Sequence, residues 1–599
     1  MQSEKIAADD HGLGELPQWD LSALYPAMDA PAFEQDFQRA DDMAKDFAVR
    51  LRGKIGALDA AGLHAAITEY EAIQDLLGRV MSFASLSYVT NMDDADLSRR
   101  HGDAQARASE IGSNLVFFTL EINRIDDERF NSLINDPALA HYRPWIEDLR
   151  IYRPYQLSDE LERMLVEKSI SGRSAWSRLF DETLAGLRFN VRGEEKTEEQ
   201  TLHLLSDADA SLRADAASAL SETFQRNIKL FAHITNTLAK DKEIEDRWRH
   251  YPAPATARHL SNQVEPEVVN ALVSSVVAAY PRLSHRYYAM KAKWLGKEKL
   301  AFWDRNAPLP MQSDRKIVWN EARQTVLSAY GEFAPQMADI GARFFDERWI
   351  HAPTRPGKIG GAFAHPVTPS AHPYVLMNYQ GKTRDVMTLA HELGHGVHQV
   401  LAAAQGPLLS DTPLTLAETA SVFGEMLTFQ ALLKSAKSPA ERRGMLASKV
   451  EDMINTVVRQ IAFYEFERHV HDERKQGEMT PERLGEIWLK VQGESLGPSI
   501  DLGAGYENYW CYIPHFIHSP FYVYAYAFGD CLVNSLFAVY QRTPIGFQEK
   551  YFDMLRAGGA KRHRELLAPF GLDASDPTFW NGGLSLIEGF INELETGEN

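Results

Sequence analysis

Leu389-Ala390-His391-Glu392-Leu393-Gly394-His395-Gly396-Val397-His398 places two histidines four positions apart, with a glutamate directly after the first. Helical geometry gives that spacing a meaning. Residues i and i+4 stand one above the other on the same face, so His391 and His395 can grip a single ion together. Glu392 then points beside the ion, where a water molecule would lie, and can serve as its general base. The flanks suit a buried helix. Thr383 or a neighbour starts it, and Asp385 favours its first turn. Val386, Leu389, Leu393, Val397 and Val400 are apolar, and Gln405-Gly406-Pro407 ends the pattern. Without an ion, a buried glutamate here would need some other partner, at a cost of several kcal/mol.

A catalytic zinc site usually takes three protein ligands and keeps a position for water. His398 lies near the same face but about 10 Å along the helix axis from His391, too far for both to share one tetrahedral ion. A role beside the metal shell, facing substrate, or packed in the core suits it better. Glu418 is the stronger third ligand. It sits in Pro413-Leu-Thr-Leu-Ala-Glu418-Thr-Ala-Ser-Val-Phe-Gly-Glu425, which reads as a second helix from near Thr415, laid antiparallel to the first by a reversing loop over 404–413. The alternative is a carboxylate that caps the helix together with Thr415. Glu425, two turns later, can orient a ligand histidine or simply face solvent.

Working outward, most of the chain carries helical periodicity. Ile111, Leu115, Phe118, Ile122 and Ile125 form one apolar stripe over residues 103–125, and Val269, Leu272, Val276 and Ala279 repeat it until Pro281. Strand-like alternation is rare. Leu187–Val191, an Arg192-Gly193 turn and a return over Thr197–Leu202 suggest a hairpin. Tyr374–Tyr379 suggests an exposed edge strand that could pair with an extended peptide. Before it, residues 357–373 hold three glycines and three prolines, a shaped loop rather than a helix. Gly360-Gly361 there can let backbone approach a substrate closely. The hairpin supplies the expected division: residues 1–195 as an N-terminal helical lobe, 196–599 as the catalytic domain.

Composition narrows the classes. The 599 residues are 44% hydrophobic and 24% charged, ordinary globular values. With 83 acidic against 63 basic residues the formal charge is −20, which repels phosphate backbones and anionic lipid. No run of about 18 apolar residues exists for a membrane span, and the first twenty residues have no apolar signal core. Two cysteines, Cys511 and Cys531, fit a reducing compartment without excluding one disulfide. The expectation is a cytoplasmic protein without nucleic-acid or membrane partners. Its oligomeric state is not fixed by the sequence.

Four stretches taken in order resemble the M3 metallopeptidases, in particular the oligoendopeptidase F branch. They are Leu16-Pro-Gln-Trp-Asp-Leu-Ser-Ala-Leu-Tyr-Pro, Tyr374-Val-Leu-Met-Asn-Tyr-Gln-Gly381, HELGHGVH with LAETASVFGE, and Ile513-Pro-His-Phe-Ile-His-Ser-Pro-Phe-Tyr-Val-Tyr-Ala-Tyr526. The resemblance implies a mostly α, two-lobed, clam-like fold with a deep substrate channel and a small β-sheet near the active site. It implies one Zn²⁺ per chain on His391, His395 and Glu418, Glu392 as base, and endopeptidase cleavage of short peptides. It also implies that His515 and a following tyrosine contact the transition state. Water attack on an amide leaves negative charge on the former carbonyl oxygen, and preorganised O–H and N–H donors there are a large catalytic term. Tyr522 and Tyr526, at i and i+4, share a helical face, whereas Tyr524 projects elsewhere. Two rival readings remain: a carboxypeptidase on a similar scaffold, and a peptide-binding protein with a structural metal, which would usually close its site with four protein ligands.

Overall fold

The apolar spacing that predicts helices produces them, and among the described residues the strands are seven short segments. The computed structural model describes residues 12–310 and 315–597. The chain forms two compact units. One comprises Met1–Arg153, Asp314–Ser435 and Tyr540–Gly571, the other Pro154–Ser313, Ala436–Val539 and Leu572–Asn599. Among the described residues no helix is long and apolar enough to cross a membrane.

In the first unit the apolar stripe from Ile111 to Ile125 is buried throughout, Phe118 and Ile122 completely. Two helices carry it, Ala95–Ser113 and Val116–Arg124, not the continuous one expected. At the break the Ser113 hydroxyl and the Asn114 amide both donate to the Glu110 carbonyl, at 2.6 and 3.4 Å. Such local bonds compete with the helical ladder.

The motif helix, Thr383–Ala402, opens with Asp385 accepting the backbone N–H groups of Lys382 at 3.0 Å and Gln380 at 2.8 Å. A 3₁₀ turn over Ala403–Gln405 follows it and stops at Gly406, whose φ of 80° is left-handed. Val386, Leu389, Leu393 and Val397 are fully buried. The expected second helix is interrupted. Leu414–Ala417 is one short helix and Ser421–Ser435, the facing helix, is another. The Leu416 carbonyl accepts from Thr419 through both its backbone N–H, at 3.1 Å, and its Oγ1, at 2.6 Å, so it is claimed three residues on instead of four. The motif and facing helices meet at backbone distance. A Cβ on Gly394 would lie 2.5 Å from the Ala420 carbonyl oxygen and 2.7 Å from Ser421 Cα.

The sheet beside the motif helix corrects the reading of Tyr374–Tyr379. The strand Tyr374–Leu376 is central, not an edge: it pairs parallel with Ile350–His351 and antiparallel with Phe363–His365. All three of its residues are buried, as an unbroken apolar Tyr-Val-Leu run demands. The outer strands are Ile350–His351 and Phe363–His365, the latter inside the Gly/Pro segment.

In the second unit the hairpin is shorter than expected. Phe189–Val191 pairs with Glu194–Lys196 across Arg192 and Gly193, at φ 56° and 88°, the paired positive values of a tight hairpin turn. The stretch expected to return as a strand is the helix Glu198–His203. Thr197 and Gln200 explain it, each side chain accepting the other's backbone N–H, at 3.3 and 3.0 Å.

Candidate active site

His391 and His395 project from one face of the motif helix, and Glu418 comes from the break before the facing helix. One ligand atom from each lies within 4.8 Å of the others, a combination unique among the described residues. Glu418 Oε2 is 3.3 Å from His391 Nε2 and 3.5 Å from His395 Nε2. Donors about 2.0–2.1 Å from a tetrahedral zinc stand about 3.3–3.4 Å from one another. The set therefore fits one small divalent ion. Glu418 ends the short Leu414–Ala417 helix instead of capping the start of a longer one, and Ser421 Oγ donates to its Oε2 at 2.6 Å. Glu425 Oε2 lies 3.2 Å from His391 Nδ1, the ring nitrogen turned away from Glu418.

The local charges favour a cation. Burial alone would lower the His391 pKa, but Glu418 and Glu425 on either side carry it well above the ordinary imidazole value. Burial would raise Glu418, yet both histidines and Ser421 hold it far below the usual carboxylate range. His395 is lowered to about 4 by burial, which keeps a neutral, ligating imidazole.

Glu392 is 7% exposed, and burial pushes its pKa up to about 7. The backbone N–H of Ala364 donates to its carboxylate. The Ala364 carbonyl accepts from Gln399 Nε2, on the same helix, at 3.2 Å. Edge strand and motif helix are thus tied at two points around the base. His398 does not join the metal group. It is buried, lowered to about 4, and bonded to the Leu555 backbone carbonyl. With His395 it lines a cavity of about 440 Å³ that also meets Thr368, His372 and Thr412.

His515, Tyr522 and Tyr526 lie together in the second unit. His515 Nε2 is 3.3 Å from the Tyr526 hydroxyl, and the rings of Tyr522 and Tyr526 are 5.2 Å apart. The helix here, Tyr524–Arg542, starts after Tyr522, so a turn rather than a shared helical face brings the two rings together. Tyr524 is fully buried, its hydroxyl accepting from Asn262 Nδ2 at 2.9 Å and standing 3.1 Å from His259 Nδ1. It anchors the segment in the core. Sequence reasoning missed Glu467, which is buried and accepts the Phe521 N–H at 2.8 Å, where Phe521 has a φ of 60°. Its only signal was a carboxylate among Phe463, Phe466 and Val470 on an apolar helix face.

Comparison with known proteins agrees across the chain. The family model described as "Peptidase family M3" matches residues 203–586, and one described as "Oligopeptidase F" matches residues 121–189. The Oligopeptidase PepF of Bacillus subtilis is 25% identical over 588 residues, covering 96% of this chain and 86% of that one. The Group B oligopeptidase PepB of Streptococcus agalactiae is 26% identical over 595 residues, covering 97% of each. Among solved structures, one from Chlamydophila abortus superposes with a TM-score of 0.85 at 21% identity, over 97% of this chain and 98% of that one. The oligoendopeptidase-F structure from Enterococcus faecium gives 0.69 at 22% identity, over 94% and 98%. At these identities the structural likeness is one of fold.

Proposed function

The chain belongs to peptidase family M3, and from that premise we propose that it is a zinc-dependent endopeptidase acting on short oligopeptides. The observation that carries the reading is the meeting of two imidazoles and one carboxylate at zinc-ligand spacing, with Glu392 buried beside them. Bound by His391, His395 and Glu418, zinc supplies Lewis acidity that lowers the pKa of water toward neutrality.

The chain's own residues do the rest. Glu392 takes the proton of the attacking water and later delivers it to the leaving amine. The Ala364 N–H holds the carboxylate in place for both transfers. His515, Tyr522 and Tyr526 supply N–H and O–H donors for the tetrahedral oxyanion, a role supported by their mutual contacts and by family resemblance. Tyr524 has no such part, because its hydroxyl is committed to Asn262 and His259. Residues 1–195 act as an N-terminal lobe and 196–599 as the catalytic domain, a division supported by the bounds of the two family matches. Cys511 and Cys531 are free and buried, which supports a cytoplasmic home. The names of the relatives support oligopeptides as substrates.

The test is digestion of peptides of graded length with and without a chelator, with the fragments identified by mass. Internal cleavage that a chelator abolishes and zinc restores is expected. Release of single C-terminal residues would indicate a carboxypeptidase, and no cleavage of any length would refute the reading.

A further inference from the structure

Two arginines of the second unit each keep one buried donor without an acceptor. Arg305 and Arg459 are half-buried, and the Nε of each is buried without a hydrogen-bond partner among the described residues. Each lies in the electrostatic reach of the other, and three tyrosines, Tyr288, Tyr506 and Tyr512, lie within that reach of both. One of these, Tyr506, hydrogen-bonds Arg305. The acids of this region are already engaged. Asp304 is held by Arg213 at 2.7 Å and by Lys297, and Glu451 by Lys291. Lys291 is fully buried and donates to the Arg305 carbonyl at 2.7 Å, so another positive charge stands close by.

The surrounding unsatisfied groups are donors too. Tyr506 spends its hydroxyl proton on Gln492 Oε1 at 3.1 Å, and Gln492 Nε2 is left without an acceptor. Trp488, its ring 6.0 Å from Tyr506, has an unpaired Nε1 as well. Four buried N–H groups without an acceptor thus gather near one tyrosine, whereas the large majority of buried polar atoms are satisfied.

Local backbone points the same way. The helix leading to Arg459 winds as a π-helix over Ile454–Val458, a rare form that is frequent at functional sites. Arg459 then lies over the Phe463 ring at 5.0 Å, and Phe463 packs on Phe516 at 5.5 Å. Phe516 directly follows His515, whose own pKa feels the Arg459 charge. Burial and the neighbouring Arg305 lower the Arg459 pKa, whereas the tyrosines carry that of Arg305 upward against its burial.

The geometry points to Arg305 and Arg459 as a carboxylate-binding subsite that takes an anionic group of a peptide substrate. A guanidinium presents paired N–H donors that match a carboxylate, and the match is strongest where water is excluded. Both a free C-terminus and an acidic side chain offer that chemistry. The inference rests on the peptidase reading above, and its test separates the two.

Zinc-loaded wild type, Arg459→Met and Arg459→Lys are given three matched peptides. One has a free C-terminus and no acidic side chain, one is its C-terminal amide, and one is an amide carrying a single Glu. Arg459→Met is expected to lose roughly tenfold to a hundredfold in kcat/KM on a carboxylate-bearing peptide, less than about threefold on the neutral amide, with partial recovery in Arg459→Lys. The arm that shows the loss identifies the carboxylate's source. Equal loss on all peptides, or none, overturns the subsite and leaves those donors to ordered water. Binding of an N-acetyl tripeptide acid, against its amide, is measured by calorimetry on folded wild type and variant. If wild type cleaves nothing, the peptidase reading fails while this readout still judges the subsite: no loss of preference for the acid in Arg459→Met refutes it.

Discussion

Replacing Glu425 by glutamine tests how the metal ligands are held. Its Oε2 stands 3.2 Å from His391 Nδ1, on the side of the ring opposite the Glu418 contact at Nε2. A carboxylate there fixes the ring's tautomer and raises the basicity of the coordinating nitrogen. Glutamine keeps the shape and one acceptor oxygen but removes the charge. Hydrogen bonds to charged groups contribute about 1.5–3 kcal/mol and neutral ones about 0.5–1.5, so the change loses about 1–1.5 kcal/mol, roughly a tenfold weaker zinc Kd. Glu425→Ala, which also removes the acceptor, should approach a hundredfold. The measurement is zinc titration of chelator-stripped protein against a chromophoric competitor at near-neutral pH, with activity restored at saturating zinc as the control. A Kd within twofold of wild type in both variants would mean that Glu425 is an ordinary surface glutamate and that His391 needs no support from it.

Three further outcomes are expected. Glu392→Gln should retain metal and lose kcat by orders of magnitude, because the amide can neither accept nor return the proton; most activity surviving would remove Glu392 as the base. Gly394→Ala should destabilise the first unit by about 1–3 kcal/mol and weaken zinc binding, since the added methyl meets Ala420 and Ser421 at under 3 Å and displaces Glu418 with them; unchanged melting and zinc affinity would contradict that close approach. His259, 6% exposed, has its pKa lowered to about 4 by burial, against 6.5 in the unfolded chain. A depressed folded value gives stability that is complete above the unfolded pKa and lost as pH falls toward the folded one. That loss amounts to about 3 kcal/mol between about pH 6.5 and 4. The stability advantage of wild type over His259→Asn should therefore shrink as pH falls through this window in denaturant unfolding, and a constant gap would count against a buried neutral His259.

What the sequence could reveal follows from how far apart the cooperating residues lie. His391, Glu392 and His395 sit within one helical turn, so periodicity alone places them on one face and their chemistry is legible without any tertiary information. Glu418 was reached by a weaker argument, and the structure shows why. It stands not within a helix, where spacing would fix its direction, but at a break where Thr419 turns back onto the Leu416 carbonyl. The break also brings the motif and facing helices so close that residue 394 can carry no Cβ. A glycine in the motif reads equally well as a helix defect, and only the Ala420 carbonyl 2.5 Å from its missing methyl tells the two apart.

Turn chemistry decided the misplacements. The capping pair Thr197 and Gln200 was a local signal that outweighed the apparent strand pattern over 197–202. Tyr374-Val-Leu lacks the alternation of an edge strand, and its continuous apolarity is what two paired neighbours require. The late aromatic segment shows the opposite limit. Spacing sets Tyr524 apart from Tyr522 and Tyr526, but through a helical face that the structure replaces with a turn. Their fates are separated by Asn262 and His259, more than 250 positions earlier, which claim the Tyr524 hydroxyl and leave the other two beside His515. Arg305 and Arg459 belong to the same class, 154 positions apart in sequence. Each would pass for a surface cation until the fold buries its Nε without an acceptor. Motifs within one turn can be read from spacing alone. Groups brought together from distant segments become visible only in the fold, through the partners they keep and those they lack.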